Sequence, residues 1–243
     1  KSLRLRCIYT THTNCDEMNL LPNAVLFFIE GKKLVKKSTQ DLFDGKDILL
    51  IGLTGAFMPN DEKMVKDFEK NYSKFMDTCL VGDPNQPNHI EDIYFVSMND
   101  PYVMEAWWKK MKIKNCKYLP DGSGALSLRL SAQGGMTPNQ TVVEMYNKGY
   151  GKRSWRYVLL VENNCQMCYV EEETPDNMTT RDNFDFDPYE LTTASAALKM
   201  LQSRQQTSTV AKVNEDANTE GYIPLLDIGV DPNNNPAKLE TGD

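Results

Sequence analysis

The chain has 243 residues, 40% of them hydrophobic and 25% charged, which is typical of an α/β domain with a sizeable core. Its formal net charge of -7 argues against nucleic-acid binding, because phosphate contacts need concentrated Lys and Arg. Nor does any apolar segment approach the roughly 20 residues that a transmembrane helix needs.

The first third of the chain predicts an arm, a hairpin and a central strand. Residues 1–19 lack sustained periodicity, so we predict an irregular N-terminal arm. Residues 20–30 are β-prone and end at Gly31, which predicts a hairpin with a second strand at 34–36. The continuous apolar run 47–53 predicts a strand covered on both faces.

The middle of the chain predicts two strand and helix units. Apolar residues at nearly helical spacing predict a helix over 61–76. Residues 82–92 predict a polar loop, and 93–98 predict another buried strand. Asp100 and Pro101 are the residue types that begin a helix, and the apolar spacing continues that helix to Met111.

The remainder predicts a short strand at 116–119, a hairpin formed by 155–161 and 166–171, and a helix over 190–204. This order predicts an α/β, thioredoxin-like fold, with a mixed central sheet, helices on both faces, and irregular extensions at both ends. The predicted divisions are 1–19 for the arm, 20–204 for the domain and 205–243 for a C-terminal extension.

The C-terminal extension is rich in Asn, Asp, Thr and Pro, and we expect it to be disordered on its own. One apolar island could anchor it on a protein partner, or pack on its own domain. The candidate partner-binding residues are Tyr222, Ile223, Leu225, Leu226 and Ile228.

Several motifs follow one another as they do in a known family. From residue 20 to about 203 the chain resembles the type-five peroxiredoxins of the redoxin superfamily, which implies the thioredoxin fold. The matching segments are 21–23 (Leu-Pro-Asn), 41–46 (Asp-Leu-Phe-Asp-Gly-Lys), 55–57 with Pro59, 96–101 (Val-Ser-Met-Asn-Asp-Pro), 119–122 (Leu-Pro-Asp-Gly) and 153–157 (Arg-Ser-Trp-Arg-Tyr).

The resemblance also implies a site. In the family the loop reads approximately Pro-Gly-Ala-Phe-Thr-Pro-x-Cys, and its cysteine attacks the peroxide. Here Asp61 stands at the cysteine position and Met58 at the threonine position. We expect an ion pair between Asp61 and Arg156; the alternative is that Asp61 only caps its helix. The predicted site residues, none of them expected to be catalytically active, are Thr54, Gly55, Met58, Pro59, Asp61 and Arg156.

The cysteines of this chain leave open a second possibility, a redox function. Cys165 and Cys168 form the one C-x-x-C motif, on a predicted strand where residues three apart point to opposite faces unless a bulge intervenes. We interpret them as structural, and we expect no metal or other cofactor. Cys79 lies at the far end of the first long helix, about 27 Å from Asp61 if that helix is continuous.

These observations favour a catalytically inactive peroxiredoxin-like protein that acts as an accessory subunit of a larger protein assembly, possibly mitochondrial and otherwise cytoplasmic. The alternative is a thiol-dependent redox enzyme, a peroxidase or a disulfide reductase, that uses Cys165, Cys168 or Cys79. The resemblance further implies a possible homodimer.

Overall fold

A six-stranded mixed sheet forms the centre of the molecule. The structure is a computed structural model, and it describes residues 6–7, 19–83, 86–133, 141–172 and 187–202. The strands of the central sheet, in spatial order, are β1 (Arg6–Cys7), β12 (Cys165–Glu171), β11 (Tyr157–Glu162), β4 (Asp47–Leu53), β7 (Asp92–Ser97) and β8 (Lys117–Pro120). β4 pairs with β7 in parallel and with β11 antiparallel, as the predicted mixed sheet requires.

The other elements surround this sheet. Three hairpins lie outside it: β2 (Val25–Glu30) with β3 (Lys33–Ser38), β5 (Cys79–Asp83) with β6 (Gln86–His89), and β9 (Val142–Met145) with β10 (Gly151–Ser154). The helices are α1 (Thr39–Phe43), α2 (Pro59–Met76), α3 (Pro101–Met111), α4 (Ser127–Gln133) and α5 over residues 194–202. No helix among the described residues is long and apolar enough to cross a membrane.

Two apolar cores cover the two faces of the sheet. In β4, Leu49 and Ile51 face the core shared with α2, α3 and α5, whereas Ile48 and Leu50 face the core shared with β2, α1 and α4. All seven residues of β4 are buried, as the continuous apolar run predicted. Helices on both faces of a mixed sheet are therefore confirmed.

The two long helices begin close to where the sequence predicts. In α3, the Asp100 side chain accepts hydrogen bonds from the backbone N–H groups of Tyr102 and Val103, and Pro101 occupies the first turn. α2 begins at Pro59, two residues before the prediction, because proline at the start of a helix forfeits no intrahelical hydrogen bond. Asp61 therefore lies in the first turn of α2.

Two predictions of irregular chain are wrong. Part of the predicted N-terminal arm is strand β1, which pairs with the edge of β12. The predicted polar loop 82–92 contains β6, which pairs with β5 outside the central sheet. A ribbon outside the central sheet is held by backbone hydrogen bonds and needs no alternation of apolar residues, so its sequence carries little strand signal.

The last helix begins later than predicted. The carboxylate of Glu172 accepts hydrogen bonds of 2.8 to 2.9 Å from the N–H groups of Glu190, Leu191 and Thr192, and from the Thr192 hydroxyl. Because these N–H groups are bound to Glu172, residues 190–192 precede the helix. It begins at residue 194 rather than at residue 190. The boundaries of the arm, domain and extension stay predictions, and residues 205–243, with the anchor at Tyr222 to Ile228, lie outside the described residues.

Candidate functional site

The carboxylate of Asp61 is completely buried at the start of α2. One oxygen, Oδ2, accepts a hydrogen bond of 2.8 Å from the backbone N–H of Gly55. The other, Oδ1, lies 2.7 Å from Nε of Arg156. The ion pair between Asp61 and Arg156 that we expected is therefore present, and its two residues come from elements 95 positions apart in the chain.

Arg156 is also fully buried, and it connects three parts of the chain. It precedes β11, whose pairing with β4 brings the guanidinium to the end of β4 where α2 begins. Besides Asp61, its Nη1 contacts the carboxylate of Asp187 and donates to the carbonyl of Pro188 at 2.9 Å. The amide of Asn60 donates to the carbonyl of Asp187 at 2.5 Å, so this segment also contacts the first turn of α2.

Asp187 is a site residue that sequence reasoning missed. It lies in a segment without periodicity, 31 positions from Arg156, and no motif marks it. It adds a second carboxylate to the guanidinium, so Arg156 interacts with two acidic groups at once. The pKa of Arg156 is raised, because the attraction of these carboxylates outweighs the loss of solvation on burial.

For the carboxyl group of Asp61, the loss of solvation on burial outweighs the attraction of its partners. Loss of solvation raises its pKa to about 6, although Arg156 and the Gly55 N–H both stabilise the charged form. The nearby charge of Asp187 raises this pKa further. The first turn of α2 thus holds a carboxyl group that changes charge near neutral pH.

This raised pKa predicts the sign of a pH effect on stability. The folded chain binds the Asp61 proton more tightly than the unfolded chain, so the contribution of Asp61 to the free energy of unfolding falls as pH rises from about 4 to about 6. The slope is at most about 1.4 kcal/mol per pH unit. Urea unfolding of the wild type and of Asp61→Asn across this range should show the difference between them decreasing with pH; a constant or rising difference would contradict the shift.

A second polar cluster borders the loop that precedes α2. The side-chain oxygen of Asn99 accepts hydrogen bonds from the backbone N–H of Ala56 at 2.9 Å and from the hydroxyl of Ser97 at 2.7 Å. It also accepts one from Nη1 of Arg153 at 3.2 Å. Asn99 and Arg153 both lie in matched segments of the sequence, but their contact with residues 54–58 depends on the packing of β7, β10 and the loop.

The other predicted site residues lie together in the loop before α2. Thr54 is buried, and its hydroxyl has no hydrogen-bond partner among the described residues. Met58 is the residue before the helix: its N–H donates to the carbonyl of Gly55 at 3.3 Å, and its own carbonyl accepts from Glu62 at 2.9 Å. The structure thus brings together Thr54, Gly55, Met58, Pro59, Asp61 and Arg156.

The C-x-x-C motif lies at a bulge in β12. The pairing of β11 with β12 shifts between Leu160, which lies opposite Cys168, and Val161, which lies opposite Gln166. Met167 is the extra residue of this bulge, and as a result Cys165 and Cys168 belong to the same core, on the face covered by α2. The bulge that the sequence analysis allowed for is therefore present, and it places both cysteines on one face because it changes the alternation.

Both cysteines of this motif are disulfide-bonded. Cys165 is 6% exposed and lies beside the turn between β11 and β12, whereas Cys168 is fully buried in the strand. Cys116 is a free thiol, and burial raises its pKa well above that of an ordinary cysteine, which makes it a poor nucleophile. Cys79 begins β5, beyond the end of α2 that is remote from Asp61.

Cys165 and the Asp61 cluster lie at opposite ends of the central sheet. Cys165 is opposite Glu162, which in turn is opposite Asp47 at the start of β4. Asp61 follows the other end of β4, which is about 20 Å long at 3.3 Å per residue. Among the described residues, no three His, Cys, Asp or Glu side chains are grouped so that they could hold a metal ion.

Comparison with known proteins identifies relatives of this chain. No protein-family model matches the chain. A peroxiredoxin of Rhizobium etli is 36% identical over 168 residues, which cover 69% of this chain and 80% of the relative. The chain belongs to the peroxiredoxin family. A peroxiredoxin of Sinorhizobium fredii is 33% identical over 168 residues, which cover 69% of this chain and 77% of that relative.

Solved structures agree with this assignment. The 1-Cys peroxiredoxin called antioxidant protein from Plasmodium falciparum matches with a TM-score of 0.60 and 28% identity, over 79% of this chain and 99% of that protein. Another peroxiredoxin structure matches with a TM-score of 0.61 and 29% identity, over 77% of this chain and 98% of that chain. The thioredoxin-like fold and the resemblance to peroxiredoxins are thus confirmed.

The comparisons contradict the prediction of a catalytically inactive accessory subunit. The relatives that match about seven tenths of this peroxiredoxin are named as peroxiredoxins, and nothing in them indicates an inactive chain or a role within a larger assembly. Together with the cysteines on β12, they favour the alternative, a thiol-dependent redox enzyme. The mitochondrial location and the homodimer stay predictions.

Proposed function

We propose that this peroxiredoxin is a thiol-dependent peroxidase whose reacting sulfur atoms are those of Cys165 and Cys168. The observation that carries the proposal is that both cysteines are disulfide-bonded and that the bulge in β12 places them on one face of the sheet. Family membership supplies the reaction class, because the relatives are peroxiredoxins.

In this proposal the start of α2 no longer supplies the nucleophile. Asp61 takes the position that the reacting cysteine has in the family, which its place in the first turn and its contact with Arg156 support. A carboxylate cannot pass through the sulfenic acid stage of a thiol peroxidase. The sulfur chemistry must therefore use another cysteine, and Cys116 is disfavoured by its raised pKa.

The proposed reaction has one oxidation by the peroxide, one condensation that forms a disulfide, and one reduction. A cysteine thiolate attacks the hydroperoxide, the O–O bond breaks, and water or an alcohol leaves as the sulfur becomes a sulfenic acid. A second cysteine thiol then displaces water and a disulfide forms. A dithiol reductant returns both sulfurs to thiols and is itself oxidised to a disulfide. In this proposal Cys165 attacks the peroxide and Cys168 supplies the second thiol, because Cys165 is the more exposed of the two.

Cysteine substitutions test this proposal. The full-length chain is reduced, freed of reductant and mixed with hydrogen peroxide, and peroxide consumption is measured with dithiothreitol as the turnover reductant. Cys165→Ser/Cys168→Ser should lose at least about tenfold in turnover, because both sulfurs of the cycle are removed. Cys116→Ser is the matched control and should keep the wild-type rate, since the raised pKa of that free thiol keeps it protonated.

Peptide mapping provides a second measurement if the double variant folds poorly. The reduced wild type, after one equivalent of peroxide, should regain disulfide bonding at both Cys165 and Cys168. Turnover that is unchanged in the double variant would overturn the proposal, and so would a reduced wild type that consumes no peroxide above the buffer rate.

A further inference from the structure

A thioether lies beside a guanidinium at the opening of the loop before α2. If Gly55 carried a Cβ atom, that atom would lie 3.2 Å from Sδ of Met58 and 3.2 Å from Nη1 of Arg153. The sulfur and the guanidinium nitrogen are therefore at most twice that distance apart, on the same side of Gly55. Met58 is partly exposed, whereas Asp61, three residues later, is buried.

Arg153 is held in this position from two directions. Its Nε donates to the carbonyl of Tyr150 at 2.9 Å, and its guanidinium lies 5.5 Å from the centre of the Tyr150 ring. Its Nη1 donates to Asn99, which also accepts from the loop N–H of Ala56. The loop and the guanidinium thus share one hydrogen-bond acceptor, which keeps the cation close to Met58.

A second guanidinium lies deeper in the same site. Nη2 of Arg156 is buried and has no hydrogen-bond partner among the described residues. Its other nitrogens contact Asp61, Asp187 and Pro188. An unpaired buried donor is costly, so it favours a ligand oxygen that can accept its hydrogen bond.

We propose that Met58 is a peroxide-reactive site, at which a hydroperoxide oxidises the thioether to a sulfoxide beside Arg153. The Sδ lone pair attacks one peroxide oxygen and the O–O bond breaks. The sulfur gains that oxygen and is oxidised by two electrons, while the other oxygen takes up the proton and leaves as water or an alcohol. The hydroperoxide is the oxidant, and no other reactant is needed.

The neighbouring cation favours this step over oxidation of an ordinary methionine. Negative charge develops on the leaving oxygen as the O–O bond breaks, and a fixed guanidinium stabilises it. The product is a polar sulfoxide whose oxygen can accept a hydrogen bond, so the cation stabilises the product as well.

Three other methionines serve as internal references. Met76, Met98 and Met111 are partly exposed like Met58. Sulfoxide formation at each residue is followed by peptide mass spectrometry while the full-length protein is treated with a small excess of hydrogen peroxide. We expect the rate at Met58 to exceed the rates at these references by about tenfold. Equal rates at Met58 and Met98 would overturn the proposal.

Variants of Arg153 distinguish the effect of its charge on the oxidation rate of Met58 from the effect of solvent exposure. Arg153→Gln removes the charge and should reduce the rate at Met58 to that of the reference methionines, while Met98 and Met111 are unaffected. Arg153→Lys keeps the charge and should retain part of the acceleration. An unchanged ratio of rates in Arg153→Gln would also overturn the proposal. Repeating the measurement in Cys165→Ser/Cys168→Ser keeps this result independent of the proposed thiol cycle.

Discussion

An Asp61→Cys variant is expected to form a sulfenic acid at residue 61 when it is treated with hydrogen peroxide. The new thiol would lie in the first turn of α2, where the Gly55 N–H and the Arg156 guanidinium now contact the carboxylate. Both groups stabilise a thiolate, as the helix terminus itself does. If Asp61 occupies the cysteine position of the family, this single substitution restores the reacting sulfur.

The expected gain is large because thiolate, rather than thiol, reacts with peroxide. An ordinary cysteine with a pKa of about 8.5 is only a few per cent ionised at pH 7, whereas cysteines at helix N-termini beside cations have a pKa of about 3.5 to 7.5. We therefore expect residue 61 to react at least about tenfold faster than an exposed cysteine. Trapping the sulfenic acid with dimedone, followed by peptide mass spectrometry, measures both rates in one experiment.

A second cysteine on the same helix provides the control. Lys66 is exposed on α2, so Lys66→Cys places a thiol on that helix away from its first turn and from Arg156. Adding Met58→Thr to Asp61→Cys supplies the hydroxyl that the resemblance implies at this position and should increase the rate further. If the cysteine at 66 reacted as fast as the cysteine at 61, the start of α2 would not be an activating site, and Asp61 would not stand in the place of the reacting cysteine.

Arg156→Met should be the most destabilising of the substitutions considered. It removes the cation from a fully buried ion pair and leaves Asp61 with one hydrogen-bond donor, the Gly55 N–H. Breaking a buried pair in this way costs about 3 to 5 kcal/mol, because one charge stays buried without compensation. Urea unfolding at pH 7 measures the loss in the free energy of unfolding.

Two further variants test the cause of this loss. Asp61→Leu/Arg156→Met removes both charges and should be more stable than Arg156→Met alone. Lys66→Met breaks an exposed pair with Glu62, whose closest atoms are 3.5 Å apart, and should change stability by less than about 1 kcal/mol. If Arg156→Met were no less stable than Lys66→Met, the buried pair would contribute little to the fold.

Much of the central architecture follows from local pattern. The apolar run of β4 and the helical spacing of α2 and α3 depend on which side chains are buried, and this is visible in a short window of sequence. The hairpin of β5 and β6 shows the limit of that approach, since backbone pairing holds it and its side chains need no periodic pattern.

The residues of the site also divide into those that the sequence marked and those that only the packing brought together. The motif before α2 marked the loop and Asp61, and the resemblance to peroxiredoxins paired it with Arg156. No sequence signal marked Asp187, and none placed the guanidinium of Arg153 beside the thioether of Met58. These contacts join residues that the packing of separate elements brings together.

The sequence by itself therefore determined the order of the main strands and helices, and the presence of a carboxylate, Asp61, in the motif at the start of α2. Only the tertiary structure decided that Cys165 and Cys168 share one face of the sheet, and that Asp61 and Asp187 share one guanidinium. The physical reason is that periodicity records burial within one element. A bulge depends on how two strands pair, and an ion pair between distant residues depends on how several elements pack.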